Sequence, residues 1–253
     1  MKRSQERQAL ILSMLQSKGF VPIELMASTC GTSLQTIRRD LSELSRTGKV
    51  LRYHGGARLS EPKRAENYRS RSASHVEEKR VAAELLVDQI QDGSSLFLAG
   101  GSTLTLVAEA LLRRDRLTIV TNNLHAALTL YDKEGFNVHV VGGWIRTASG
   151  SLVGANAASE IGTFSLDAAI ISTSAITEEG ALLEYDESLV GPINAMIANA
   201  RRTILVADCS KFGRTGIVRA AHLRDVDLLV TDRVVPSEFA ELLQHYQIDL
   251  ING

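Results

Sequence analysis

Ser33, Gln35, Thr36, Arg38 and Arg39 stand in one short run, interleaved with Leu34, Ile37 and Leu41. Leu34, Ile37, Leu41 and Leu44 recur at spacings of three and four. That predicts a helix with those four as its buried face and Ser33 as its N-cap. The opposite face then shows Gln35, Thr36, Arg38, Arg39 and Ser42. These side chains suit the major groove of DNA: Arg forks onto guanine, Gln onto adenine, and Thr touches a thymine methyl or a phosphate. A merely solvated surface helix would carry the same residues, so the flanking segments decide.

Those flanks supply the rest of a DNA-reading head. Residues 5–18 fit a helix through Ala9, Leu10, Leu12, Met14 and Leu15, stopped by Gly19. Residues 23–30 fit a second, with Leu25, Met26 and Cys30 facing inward, and Gly31-Thr32 is the tight turn before the third. After Gly48, residues 50–53 and 57–59 read as two short strands around Gly55-Gly56, a wing that brings Arg52, His54 and Arg58 near a phosphate backbone. The reading is a winged helix-turn-helix over residues 1–59. Its expected DNA contacts are Ser33, Gln35, Thr36, Arg38, Arg39, Arg52 and His54.

A second set of residues suits a small anion. Gly100-Gly101-Ser102-Thr103, Thr121-Asn122-Asn123, Gly142-Gly143, Ser172-Thr173-Ser174 and Asp208 with Lys211 each follow a predicted strand. In an open parallel sheet those strand ends share one rim, where ligands bind. The first loop runs into a helix, so exposed N–H groups and the helix dipole favour an anion there, and Lys211 adds a full charge. The expected ligand residues are Gly101, Ser102, Thr103, Thr121, Asn122, Gly142, Gly143 and Lys211, and the expected ligand is a phosphorylated small molecule. Read singly, Gly142-Gly143 is also a plain tight turn and Lys211 a solvent lysine.

The elements that must hold this rim read as follows. Residues 60–75 are polar, contain Pro62 and show no periodicity, so they form a linker. A helix over 77–91 turns Val81, Ala82, Leu85, Leu86 and Ile90 one way. Strands are expected at 95–99, 117–120, 137–141, 168–172, 203–207 and 228–231, with 248–251 as a further one. Helices are expected at 103–113, 124–134, 189–200 and 237–245. Alternation of this kind makes residues 76–253 a mostly parallel α/β domain.

Charge divides the chain in the same place. Residues 1–71 hold 14 Lys and Arg against 6 Asp and Glu, and the remainder holds 14 against 23. A basic head attracts phosphate and an acidic body does not. No apolar run is long enough for a membrane span, and the N-terminus lacks the apolar core of a signal peptide. Two cysteines, Cys30 and Cys209, fall in separate domains and fit a reducing cytoplasm. The six histidines fall singly, without metal spacing.

The run TIRRDLSEL…GKVLRYHGGA resembles the DeoR-type bacterial transcriptional regulators. GST at 101–103, VTNN at 120–123, VGG at 141–143 and SKFGR at 210–214 extend the resemblance over nearly the whole chain. LLEYD at 182–186 looks nearest to the glycerol-3-phosphate repressor branch. The resemblance implies an effector domain of the sugar-phosphate isomerase fold that senses phosphorylated sugars or polyols. It also implies a repressor of a carbohydrate-utilisation operon. Relatives carry an acid where Ala99 stands, Glu near Leu189 and Lys near Ile193. The isomerase-like acid and base set is therefore depleted, which leaves either a changed ligand or a weakened sensor. Asp208, Glu184, Asp186 and Lys211 are the remaining candidates for catalysis, and Asp208 reads equally as a loop cap. The expectation is a cytoplasmic regulator, not an enzyme, with no cofactor or metal. Its partners are double-stranded operator DNA, a phosphorylated effector and a second copy of itself in a homodimer or homotetramer, the last because one such head makes few base contacts. The competing readings are an isomerase-like enzyme with a DNA-binding head and a regulator with a non-sensing pocket.

Overall fold

The computed structural model describes residues 2–253 except Gly19, Gly48, His54 and residues 60–67, and for some residues, Arg52 among them, only the backbone. The chain divides into two compact units, Met1–Arg64 and Ala65–Gly253.

The first unit runs α1 (Lys2–Lys18), β1 (Phe20–Pro22), α2 (Ile23–Thr29), α3 (Leu34–Arg46), β2 (Val50–Tyr53) and β3 (Gly56–Leu59). Ile11, Leu15, Val21, Met26, Ile37, Leu41, Leu44, Val50 and Ala57 form its core. Gly31 takes φ +59° at the turn between α2 and α3. Three expectations about inward faces are corrected. Leu34 is 40% exposed and Leu25 37% exposed, while Ile23 and Ala27 are buried instead. In α1 it is Ile11, Met14 and Leu15 that are buried, with Leu10 exposed. Asp40 is also buried on α3, and Arg7 holds it through Nε at 2.5 Å and Nη2 at 3.1 Å, with Ser4 Oγ at 3.3 Å. Leu34 begins its helix, and the buried face lies over the later turns. The wing is present, and it is joined by β1, which pairs antiparallel with β3.

The second unit begins with α4 (Tyr68–Ala73) and α5 (Val76–Val87). Of the linker expected over residues 60–75, residues 60–67 lie outside the described residues and a short helix occupies most of the rest. On α5 the buried residues are Lys79, Ala82, Ala83, Leu86 and Val87, and Val81, expected inside, is exposed. There follow β4 (Ser95–Leu98), α6 (Ser102–Leu111), β5 (Thr118–Thr121), α7 (Leu124–Leu130), β6 (Asn137–Val140), β7 (Trp144–Arg146), β8 (Ser151–Val153), α8 (Ala155–Ile161) and β9 (Ala168–Ile171). The rest is β10 (Ala175–Ile176), β11 (Ala181–Glu184), α9 (Val190–Ala198), β12 (Thr203–Val206), β13 (Val218–His222), β14 (Leu228–Thr231), α10 (Ser237–His245) and β15 (Asp249–Asn252).

Seven strands form one parallel sheet in the order β15-β14-β12-β9-β4-β5-β6. β9, β12 and β14 are buried at every residue, which explains why they read as unbroken aliphatic runs. The chain moves outward from β4 through β5 to β6, then returns to the other side of β4 as β9. Strand order therefore reverses between β4 and β9, which opens a crevice at their carboxyl ends. A small antiparallel sheet, β10-β11-β13, and the β7-β8 hairpin lie outside the sequence reading, as does α8.

Candidate functional site

On the first unit, α3 presents Gln35, Arg38 and Arg39 to solvent. Ser33 is the N-cap: its Oγ accepts from the Thr36 N–H at 3.2 Å and lies 2.9 Å from Thr36 Oγ1. Ser33 and Thr36 thus fasten the helix start that aims the longer side chains. A groove of about 1080 Å³ runs between the start of α1 and this face, lined by Arg7, Gln8, Gln35, Arg38, Arg39 and Glu43 among others. The Asp40 carboxylate and the hydrogen bond from Gln8 Nε2 to Glu43 Oε2, at 2.9 Å, lock α3 against α1. Arg52 sits in β2 opposite Ala57, its side chain outside the described set, and His54 lies outside the described residues altogether.

On the second unit Gly100, Gly101, Asn122 and Ser172 come together beyond the carboxyl ends of β4 and β9. Gly101 has φ +134°, a conformation L side chains rarely adopt, and a Cβ there would come 2.9 Å from Ser172 Oγ. A Cβ on Gly100 would collide with the Ser151 side chain and lie 3.9 Å from Asn122 Oδ1. Three loops and the start of β8 therefore meet at this glycine pair, and Ser151 and Ser172 leave no room for a side chain on it. Ser102 and Thr103 open α6, both buried, and Gly101 caps that helix with no side chain. Asn122 Nδ2 donates to the Leu152 carbonyl at 3.0 Å, while its buried Oδ1 has no hydrogen-bond partner among the described residues. Asn123 is spent on the frame. It donates to the carbonyls of Ala99 and Gly101 at 3.4 and 3.3 Å, and its Oδ1 caps α7.

Thr121, Gly142 and Gly143 also serve the frame. Thr121 is fully buried and laces β5 to β4 through the Leu98 carbonyl at 2.6 Å. The Gly142 N–H donates to Glu160 Oε2 at 2.7 Å, and a Cβ on Gly143 would sit 2.7 Å from the Val153 carbonyl oxygen. The Gly142 N–H and then His139, at 2.7 Å, hold the Glu160 carboxyl below its ordinary range. The glycine pair is thus committed to contacts with β8 and α8.

A charged cluster occupies the far side of the crevice. Lys211 Nζ lies 3.7 Å from Asp208 Oδ2. Burial pushes the Lys211 ammonium down in pKa, and Asp208 opposes that. Asp208 is fully buried; its Oδ1 accepts from the Ser210 N–H at 3.1 Å and from the Ser210 hydroxyl, while Oδ2, beyond the ion pair with Lys211, has no hydrogen-bond partner among the described residues. Glu184 accepts from the Ser174 N–H at 3.0 Å and Oγ at 2.6 Å, and burial pushes its carboxyl up. Arg146 Nε donates to Asp186 Oδ2 at 2.7 Å. The Ser188 hydroxyl first, then Arg146, bring Asp186 down to about 2.

This arrangement can bind an anion at the α6 N-terminus and offer acceptors to hydroxyl groups at Asn122 and Asp208, because a buried acceptor left unpaired is costly. Ala99, Leu189 and Ile193 add no acid or base to it; Ala99 is buried with its N–H on the Ile170 carbonyl at 3.0 Å. Sequence reasoning missed Arg71 and Arg146, held by Ala148 and Asp186 far away in the chain, and Lys79, held by the nearby carbonyls of Arg71 and Ser74. No group of three or more His, Cys, Asp or Glu among the described residues could hold a metal ion. No helix among them is long and apolar enough to cross a membrane.

Residues 7–63 match the DeoR-like helix-turn-helix domain, and residues 74–233 match the DeoR C terminal sensor domain. Over 250 residues the chain is 38% identical to the glycerol-3-phosphate regulon repressor of Escherichia coli (strain K12), covering 99% of each chain. It is 36% identical over 241 residues to the HTH-type transcriptional repressor CsqR of the same organism, covering 95% of this chain and 92% of that one. Among solved structures, ribose 5-phosphate isomerase A of Methanocaldococcus jannaschii overlaps 55% of each chain at 17% identity with a TM-score of 0.42, too remote to speak to chemistry.

Proposed function

The chain belongs to the DeoR family of helix-turn-helix transcriptional regulators, and on that premise we propose how it works. It is a regulator rather than an enzyme, since the repressors it matches along their full length are regulators. In our reading it represses a carbohydrate-utilisation operon in the cytoplasm and releases its operator when a phosphorylated sugar or polyol enters the β4–β9 crevice. The observation that carries the reading is the pairing, in one family-matched chain, of an exposed Gln35-Arg38-Arg39 face with a side-chain-free loop at an α6 N-terminus. Arg38, Arg39 and Gln35 read base edges, and Arg52 with His54 holds phosphate. Gly101, Ser102, Thr103 and Lys211 hold the effector's anionic group, and Asn122 and Asp208 take its hydroxyls.

We place residues 1–59 in the DNA-binding domain and residues 76–253 in the effector-binding and oligomerising domain. Two heads are needed to span paired half-sites, so the working form is a homodimer or homotetramer. Trp144 is 83% exposed, with Ile145, Leu128 and Tyr131 also exposed, at the β6 end of the sheet; apolar exposure of this kind suits an interface with a second copy. Light scattering coupled to gel filtration tests the assembly.

The effector is tested by measuring operator affinity across a panel of phosphorylated sugars and polyols. A Gly101→Ala variant, with folding checked by a thermal melt, should bind operator and fail to respond, because even a Cβ meets Ser172 in a strained backbone. Ala99, Leu189 and Ile193 favour a second reading, a regulator whose pocket no longer senses. Its signature is operator binding that no panel member changes.

A further inference from the structure

Trp144 is the one tryptophan of the chain, and it stands 83% exposed at the start of β7, with Ile145 beside it at 54%. Leu128 on α7, Tyr131 at its C-cap and Val140 at the end of β6 are exposed as well. These five side chains leave on the order of 500 Å² of apolar surface in water. That is more than half of the about 800 Å² that each side of a stable interface buries. β6 is also the last strand of its sheet, paired with β5 on one side and with no strand on the other among the described residues. Sheet edges are ordinarily covered. An apolar patch is complementary to itself across a two-fold axis, so the occupant it suits is a second copy of this chain.

The same hairpin builds the effector crevice with its other edge. β7 pairs with β8 in the register Trp144↔Val153, Ile145↔Leu152 and Arg146↔Ser151. Opposite Ile145, the Leu152 N–H donates to the Asn122 carbonyl at 2.7 Å, and the Leu152 carbonyl accepts from Asn122 Nδ2 at 3.0 Å. Leu152 thus aims the Asn122 side chain, whose buried Oδ1 has no hydrogen-bond partner among the described residues. Opposite Arg146, Ser151 closes on Gly100. The Gly150 carbonyl accepts from the Leu124 N–H at 3.1 Å, and Arg146 holds Asp186 across the crevice mouth at 2.7 Å. The crevice edge and the exposed edge are one strand spacing apart, about 5 Å, and paired strands shift together.

We propose that the β7–β8 hairpin couples the effector site to the assembly: its Trp144–Ile145 edge is seated on a second copy of this chain, and its Ser151–Leu152 edge holds the crevice. The inference rests on the regulator reading above, which also fixes its sign. Paired heads hold the operator and the effector releases it, so an occupied crevice loosens the seat. By reciprocity a single chain binds the effector more tightly than an assembled one, by the same factor.

Trp144 is its own reporter. The full-length chain is diluted while light scattering follows its size and iodide quenching follows the tryptophan. The probe is glycerol 3-phosphate or, where that leaves the operator bound, the phosphorylated sugar or polyol that releases it; glycerol is the uncharged control. Trp144 should be shielded in the assembly and exposed on dilution, and the probe should move the midpoint to about tenfold higher protein concentration. Trp144→Ala and Ile145→Ser, each checked by a thermal melt, should both scatter as a smaller species, hold the operator more weakly and bind the probe about tenfold more tightly by calorimetry. A freely quenched Trp144 in the assembly, or a chain that stays single at every concentration, overturns the inference. So does a probe that releases the operator yet leaves the midpoint where it was, and in these cases the regulator reading stands. If no phosphorylated sugar or polyol moves wild-type operator affinity, both fall.

Discussion

Arg7→Ala should destabilise the DNA-reading unit far more than an ordinary surface change. The Asp40 side chain is 4% exposed, and Arg7 holds it with two charge-assisted hydrogen bonds at 2.5 and 3.1 Å. Without Arg7, that carboxylate keeps, among the described residues, Ser4 Oγ at 3.3 Å. Removing one partner of a buried pair costs about 3–5 kcal/mol. The Arg7 side chain retains 22% exposure, so solvent screens part of this and about 2–3 kcal/mol remains. A unit of this size has a total stability of about 3–10 kcal/mol. Near about 4–8 °C per kcal/mol, its melting temperature should fall by about 10–20 °C. Differential scanning calorimetry of the full chain should show the loss in one transition, with operator affinity falling at the same temperatures. Adding Asp40→Asn to Arg7→Ala should restore part of the stability, because a neutral amide is cheaper to bury alone. A shift under about 3 °C for Arg7→Ala would refute the view that this pair locks α3 to α1.

Arg38→Ala or Arg39→Ala should cost about 1–3 kcal/mol on the operator and less on random DNA, compared by fluorescence anisotropy. Equal losses on both would make the residue a phosphate contact. Arg52→Ala should weaken operator and random DNA alike and make the salt slope shallower by about one unit, read from a salt titration. For the α/β unit, the Asp186 carboxyl is lowered to about 2 from an ordinary 3.8, so its stabilisation is fully present above about pH 4. That contribution is lost as pH falls toward about 2, and solvent screening of this partly exposed group limits it to about 1 kcal/mol. Urea unfolding at stepped pH should show the loss in wild type and its absence in Asp186→Asn.

Much of the architecture was legible without coordinates. β9, β12 and β14 could be read because a parallel strand buried on both faces is apolar at every position, a pattern local to four residues. α3 could be read from its three-and-four spacing, Ser33 as its cap from residue type, and the turn at Gly31 from a residue with no side chain to strain at φ +59°. The glycine loop at Gly100-Gly101 followed from its place between a strand and a helix. Periodicity reports only where apolar surface is buried, and it said nothing of what else lies inside. Asp40 took an inward place opposite Arg7, 33 positions away in the chain, and Lys79 was buried because carbonyls of Arg71 and Ser74 came to meet it. The Gly142 N–H found Glu160, 18 positions away. β1, β10 and α4 are too short to carry a pattern; each is held by partners, β3, β11 and the α6–α7 rim. A buried polar group needs a specific partner, and only the tertiary structure brings that partner within reach.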